Sequence, residues 1–442
     1  MSVTVVNGGQ YGDEGKGKIV DYLGGYYDIG IRSTAGDNAG HTLCVGDMTL
    51  KMRLIPSTIL DATFSIIADD VLINPITLHQ EIETLERAGI DVGARLLISP
   101  NAHLVFPFHK RLDELYEEGQ SPIGTTKRGI GPAMADKVNR VGIRMEEFVN
   151  VEKLAARLEE NLNLANRAMA SLYGDNVETI GFDDLYQQMT AIAAKLRPMV
   201  VDTVAFTHQA LDDHRSILVE GAQGSMLDLA YGSYPYVTAS RPLSSGLIAG
   251  AAIGPTYVDQ VLSVIKPYQT RVGRGAVMAE ISGDIADHIC RCGREFGTVT
   301  GRARRVMWLD TMLVDHARRL NGTTAFALAK LDVMDQMPEI KICTGYRKNG
   351  QPTRSMPSQL DIDAYEPVFE TLPGWQTPIG EVRRYQDLPT AAKRLIERIQ
   401  ELTATPIAIL SVGSDREHTI DITPIDQLRP GKTFPAETLR SA

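Results

Sequence analysis

Short runs of consecutive apolar residues alternate along the chain with longer stretches in which apolar positions recur every three or four residues. The first kind reads as a buried strand, the second as a helix with one face toward a core. Residues 3–7 predict a first strand that runs into a glycine-rich turn, and a helix begins at about Lys16. Helical spacing recurs over residues 75–88, where Ile76, Leu78, Ile82 and Leu85 share a face, and over residues 154–172. Residues 182–213 predict more helix, broken near Pro198, because proline lacks the amide hydrogen that a helix interior needs. Further strands are expected at 216–219, 258–265, 324–329, 340–344 and 406–411, with a late helix at 391–402. Residues 101–142 read as loops around one helix. This alternation favours an α/β fold with a central, mainly parallel β-sheet flanked by helices. Nothing resembling a repeat, low-complexity tract or Pro/Ser linker divides the chain, so one large domain over residues 1–442, with helical and loop insertions, is expected.

Composition narrows the partners. Hydrophobic residues are 43% and charged residues 23% of the 442, as in ordinary globular proteins. The net charge of −10 leaves no electrostatic footprint for nucleic acid, so any bound phosphate must meet a local cationic cluster. No apolar run approaches the roughly 18 residues of a membrane span, and no signal-peptide pattern follows Met1. The four cysteines (Cys44, Cys290, Cys292, Cys343) fit reduced thiols and a cytoplasmic location. Cys290 and Cys292 near His288 are spaced too closely for the usual structural zinc pair.

The sharpest local signal runs from Gly8 through Gly9, Gln10, Tyr11, Gly12, Asp13, Glu14, Gly15, Lys16 and Gly17 to Lys18. Glycines between a strand and a helix let backbone N–H groups turn inward around a polyphosphate, at the positive end of the helix. Lys16 can neutralise a transferring phosphoryl group. The fold is therefore expected to be P-loop-NTPase-like, although the motif is not a Walker A sequence. Gln10 stands where its first glycine would be, and Gly17 replaces the Ser/Thr that would hold Mg²⁺. Asp13 could take over as the magnesium ligand, since a hard cation prefers carboxylate oxygen.

That loop, followed by Asn38-Ala39-Gly40-His41-Thr42, closely resembles the adenylosuccinate synthetase family. The likeness continues in family order through residues 124–132, 220–224, 234–238, 270–273, 295–302, 330–333, 372–375 and 411–416. The resemblance implies a GTP-dependent ligase that phosphorylates the 6-oxygen of IMP and then lets aspartate displace the phosphate, with Mg²⁺. It makes Asp13 the base beside purine N1, His41 the general acid, and the Gly40 carbonyl a second magnesium ligand. Gln223 matches the group that hydrogen-bonds the purine 6-oxygen. Asn38, Thr126, Thr238 and Val272 fall in segments that hold the acceptor nucleotide. Arg140 would reach its 5′-phosphate from the other subunit, which implies a homodimer with shared sites. Thr298, Val299, Thr300 and Arg302 would grip aspartate, with Arg302 also near the ribose. Gly12, Gly15, Lys16, Gly17 and Arg304 would face the GTP phosphates. Lys330 and Asp332, with Ser411 and Gly413, would form the base pocket. An aspartate there can accept two hydrogen bonds from guanine that adenine cannot supply, so GTP rather than ATP is the expected donor.

Several positions leave the family pattern. Ala35 stands where a second glycine is usual, Val299 where threonine is common, and residues 239–246, 274–276 and 306–307 also differ. Some lie near the acceptor, so the alternative is the same chemistry on dGMP, as in viral relatives that make diaminopurine DNA; retained Asp13 favours IMP. A GTP-binding switch protein is the alternative from another class, but it leaves Gln223, Arg302 and the 38–42 loop without a use. The glycine spacing does not fit a dinucleotide oxidoreductase.

Overall fold

The computed structural model describes residues 2–45, 48–119, 122–174, 177–296 and 303–422. Among them a nine-stranded sheet runs in the order Thr419–Asp421, Ile407–Ser411, Ala325–Leu328, Gln260–Ile265, Ser2–Gly8, Ser216–Glu220, Ile29–Arg32, Phe64–Ile67, Leu96–Ile98. Every neighbouring pair is parallel except at one edge, where Thr419–Asp421 turns back on Ile407–Ser411. Ser2–Gly8 lies at the centre, buried at all seven positions. Val5 sits opposite Val219 on one side and Val261 on the other. Strands covered on both faces need apolar residues at every position, which is why these runs stand out in the chain.

Most expected elements are present. The expected helices correspond to Lys16–Gly24, Pro75–Arg87, Val151–Tyr173, Phe182–Leu196, Thr203–Asp212 and Thr390–Thr403, and Pro198 lies in the 3-10 turn Arg197–Met199. One reading needs correction, and three strands stand where none was expected. Residues 101–142 hold two principal helices, Pro107–Glu118 and Ile130–Asn139, rather than one. Gly131 and Pro132 disguise the second, yet proline in a first turn costs no hydrogen bond. Ile29–Arg32, Phe64–Ile67 and Leu96–Ile98, which complete one half of the sheet, are only three or four residues long and leave little periodicity to read.

The strand expected at 340–344 extends over Glu339–Lys348 and belongs to a second, six-stranded sheet with Tyr268–Arg271, Glu280–Ile281, Arg305–Asp310, Gln351–Thr353 and Tyr365–Pro373. Its apolar side joins helix Thr390–Thr403 in one large core cluster. Another cluster gathers the helices beyond the Leu96–Ile98 edge.

Helix Lys16–Gly24 matters most for the site. Ile19, Val20 and Leu23 are fully buried against Leu218, Leu262, Val264, Ala327 and Ile409. Burial of such side chains stabilises by roughly 1.5–3 kcal/mol each, so this helix and the loop before it are fixed to the sheet. No helix among the described residues is long and apolar enough to cross a membrane.

Candidate active site

The glycine corner leaves the C-terminal end of the central strand, with the ends of Ser216–Glu220 and Gln260–Ile265 on either side. Gly12, Asp13 and Gly15 all have positive φ (97°, 58° and 96°). Asp13 thus pays a conformational cost at a position that glycine occupies freely, a feature that concentrates at functional sites. Gly15 caps the helix without any side-chain hydrogen bond, which leaves first-turn N–H groups for an anion. Inside the loop, the buried Glu14 carboxylate accepts from the N–H of Gln10 (3.1 Å) and of Gly12 (2.8 Å) and pairs with Lys16. Gln10 donates to the carbonyls of Lys266 (3.0 Å) and Tyr268 (3.2 Å) and accepts from Lys266 N–H (3.2 Å). This explains a glutamine where a phosphate loop usually has glycine: its amide ties the loop to the neighbouring strand.

Residues 223–224 press on the same loop. A Cβ on Gly224 would stand 2.3 Å from the Gly12 nitrogen, and one on Gly8 would stand 2.5 Å from the Gln223 carbonyl oxygen. Both amide atoms of Gln223 are buried and lack a partner among the described residues. Such a group normally costs a few kcal/mol unless a ligand satisfies it.

His41 opens the hairpin strand His41–Val45 and leans on Gly17, where a Cβ would lie 2.7 Å from its own Cβ. Gly17 is thus the room that the imidazole needs. Burial pushes the His41 pKa down to about 4; Glu220 opposes this and Arg32 reinforces it. Its Nδ1 is 4.0 Å from Glu220, while Nε2 is buried without a partner among the described residues. Glu220 itself accepts from Arg32 (2.8 Å) and from the N–H (2.7 Å) and hydroxyl (3.0 Å) of Ser57.

Asp332 lies in the 3-10 turn Leu331–Met334, entered through Lys330 in a left-handed conformation (φ 57°). Its Oδ1 is buried without a partner among the described residues, and burial raises its pKa against the pull of Lys18, Lys330 and His418. Beside it, Lys18 donates to Ser411 Oγ (2.7 Å) and to the carbonyls of Gly413 (2.8 Å) and His418 (2.8 Å). Burial lowers the Lys18 pKa to about 7, with Asp332 and Asp415 opposing. The phosphate-loop helix therefore reaches the Ser411–Gly413 corner through one ammonium group.

Glu295 is fully buried and accepts from Lys266 (3.0 Å), Tyr268 (2.7 Å), Lys330 (2.7 Å) and Arg304 (2.6 Å). Burial raises its pKa, but Lys266, Lys330 and Arg304 outweigh that and hold it far below the usual carboxylate range. Arg304 also contacts Asp13 at 3.1 Å.

Other expected residues line the approaches. Asn38 accepts from Gly36 N–H (3.2 Å), and Thr238 accepts from Ser240 N–H (3.3 Å). Thr126 and Arg140 are exposed, Arg140 at the left-handed end of helix Ile130–Asn139. The Thr126 loop meets the Val272 segment, since a Cβ on Gly124 would be 3.2 Å from Gly273 Cα. Gly40 is exposed beside His41. Thr298, Val299, Thr300 and Arg302 lie outside the described residues. Glu14, Lys18, Glu220 and Glu295 fall in the expected segments without an assigned role, and Lys266 falls outside them. Four charged residues follow a common signal, standing at or just after the end of a buried parallel strand: Arg32, Glu220, Lys266 and Lys330.

The oxygen donors at the rim suit a hard divalent cation. The Asp13 carboxylate is 38% exposed, enough to take a ligand, and Gly40, whose carbonyl is the other oxygen donor, is exposed beside His41. Together these groups can hold a polyphosphate, select a base, polarise a phosphoryl group and orient an amide-recognised acceptor.

Residues 5–420 match the family model described as adenylosuccinate synthetase. The adenylosuccinate synthetase of Caldanaerobacter subterraneus subsp. tengcongensis is 43% identical over 425 residues, covering 95% of this chain and 99% of that protein. The structure of a fully ligated adenylosuccinate synthetase from Plasmodium falciparum is similar with a TM-score of 0.90 at 33% identity, covering 96% of this chain and 100% of that one. Cyanophage S-2L succinoaminodeoxyadenylate synthetase, bound to dGMP and dATP, shares the fold at a TM-score of 0.61 and 18% identity, over 97% of each chain.

Proposed function

The chain belongs to the adenylosuccinate synthetase family and is a GTP-dependent, Mg²⁺-requiring ligase that joins L-aspartate to IMP in AMP biosynthesis; we propose that Asp13 and His41 carry the first of two steps. In that step Asp13 takes the proton from purine N1, the 6-oxygen attacks the γ-phosphorus, and the bond to the GDP oxygen breaks. Uptake of the N1 proton is what makes a carbonyl oxygen nucleophilic. His41 donates a hydrogen bond to the phosphoryl oxygens as charge moves to the leaving nucleotide. Anionic oxygens near Nε2 would favour the imidazolium that burial opposes, in the direction Glu220 already favours. In the second step the aspartate amine attacks C6, phosphate leaves with its oxygen, and the amine gives up a proton.

Asp13 and the Gly40 carbonyl would hold Mg²⁺, whose charge offsets that of the phosphoryl oxygens when bound. Gly12, Gly15, Lys16, Gly17 and Arg304 would meet the GTP phosphates, and Lys330, Asp332, Ser411 and Gly413 the guanine. IMP would contact Asn38, Thr126, Gln223, Thr238, Val272 and Arg302, and aspartate would contact Thr298, Val299, Thr300 and Arg302. One observation carries this reading: Asp13 lies in the glycine corner itself, the Gln223 backbone packs on Gly8 and Gly12 of that corner, and the Cβ of His41 packs on Gly17. A GTP switch protein has no use for that imidazole and amide.

The test is aspartate incorporation measured with IMP or dGMP crossed with GTP or ATP. Adenylosuccinate from IMP and GTP is expected. Faster turnover of dGMP than of IMP would overturn the acceptor assignment, and GTP hydrolysis independent of both IMP and aspartate would favour the switch.

We also propose that residues 1–442 act as one synthetase domain in a cytoplasmic homodimer, with Arg140 of the partner subunit completing each site. The exposure of Arg140 on its helix end supports this. Inactive Asp13→Ala and Arg140→Ala chains, mixed and re-equilibrated, should then recover about a quarter of the native rate, because half the dimers are mixed and each has one intact site. No recovery from a demonstrated mixed dimer would refute the shared site.

A further inference from the structure

Three cations converge on one buried carboxylate. Lys266, Lys330 and Tyr268 share Glu295 Oε1, while Oε2 receives Arg304 Nη1. Glu295 is also joined to Arg304 through the main chain, its carbonyl accepting Arg304 N–H at 3.0 Å. The guanidinium is thus held at its root and along one edge. Its other terminal nitrogen, Nη2, is 3.1 Å from Asp13, and its Nε is buried without a partner among the described residues.

These contacts connect parts of the site that lie far apart in the chain. The Lys266 backbone carries Gln10 of the phosphate loop, and Lys330 leads into the turn that bears Asp332. Lys266, Lys330 and Arg304 all contact the Glu295 carboxylate, and Arg304 alone also meets Asp13 while its Nε keeps no partner among the described residues, so the guanidinium retains donors for a further anion beside it. A planar guanidinium fixed on one edge can exchange the partner on its other edge without losing its place, which a free side chain cannot do at so small an entropy cost.

We propose that Glu295 is a positioning residue for phosphoryl transfer: it holds one edge of the Arg304 guanidinium so that the other passes from Asp13 to an anionic phosphoryl oxygen and leaves Asp13 free to act. The proposal rests on the roles assigned above to Asp13 and Arg304.

The test is a mutant cycle on the full-length enzyme. Glu295→Gln keeps the shape of the side chain but removes its charge; it should lower kcat at least about tenfold and leave KM for IMP within about twofold. In an Arg304→Ala background the same change should cost less than about threefold more, because the residue it positions is already gone. Glu295→Asp should recover part of kcat. Removal of a buried charge beside three cations can impair folding, so Glu295→Gln is also made with Lys266→Met, which removes one charge of each sign. That folded double variant should show the same kcat loss. Equal loss with and without Arg304, or lowered thermal stability with unchanged kcat, would overturn the proposal. Near-normal turnover of Asp13→Ala in the native background would instead overturn the role of Asp13, and the cycle between positions 295 and 304 would still be readable.

Discussion

Gly17 and His41 share one small volume: a side-chain carbon on the first would stand 2.7 Å from the Cβ of the second. Helix and hairpin are each anchored elsewhere, so the imidazole must yield when this space is filled. Gly17→Ala should therefore lower kcat by about tenfold or more while the fold persists, since small misplacements of a catalytic group carry large penalties. Gly25→Ala, at the other end of the same helix with open space around it, is the control and should leave kcat unchanged. Steady-state kinetics of the two variants would decide; equal rates would mean that His41 does not depend on this contact.

Asp13→Ala and His41→Ala should each lower turnover by at least ~10² with nucleotide binding still measurable, because each removes a proton-handling or charge-stabilising group from one transfer. Turnover and calorimetric binding on the same preparations separate this from loss of the fold. Near-normal turnover in either variant ends the catalytic assignment of that residue.

Burial places the His41 pKa at about 4, against 6.5 for the free side chain. Between those values the unfolded chain takes up a proton that the folded chain refuses. Stability on this account is constant above pH 6.5 and falls as pH drops toward 4, by on the order of 3 kcal/mol. His103 shifts the same way, mainly through burial, so the overall profile contains more than one group. The difference between the native protein and His41→Asn isolates the contribution of His41. Urea midpoints at pH 7 and pH 4.5 should converge more closely for the variant; an unchanged gap would contradict a neutral, buried His41.

Lys18 holds the Ser411–Gly413 corner through three hydrogen bonds and faces Asp332. Hydrogen bonds contribute about 0.5–1.5 kcal/mol each, so loss of all three should raise KM for GTP about tenfold or more. Lys18→Met should show this with KM for IMP nearly unchanged. A parallel rise in both constants would mean that the lysine supports the fold as a whole rather than the base pocket.

The chain alone determined what depends on neighbouring residues. Glycines at 8, 9, 12, 15 and 17 between an apolar strand and a helix identify a phosphate corner because backbone freedom and helix polarity are local properties. The same locality made the long buried strands legible, and the ordered motifs carried the family. It did not reveal Ile29–Arg32, Phe64–Ile67 and Leu96–Ile98, whose identity as strands comes from parallel partners elsewhere in the chain.

Tertiary structure decided which charges meet. Lys18 and its three acceptors are separated by 393 to 400 positions, and Glu295 gathers Lys266 and Lys330 from 29 and 35 positions away. A charged residue in a sequence reads equally well as a solvated surface group. Only when parallel strands bring their ends to one edge does burial raise the cost of each lone charge enough to require a partner.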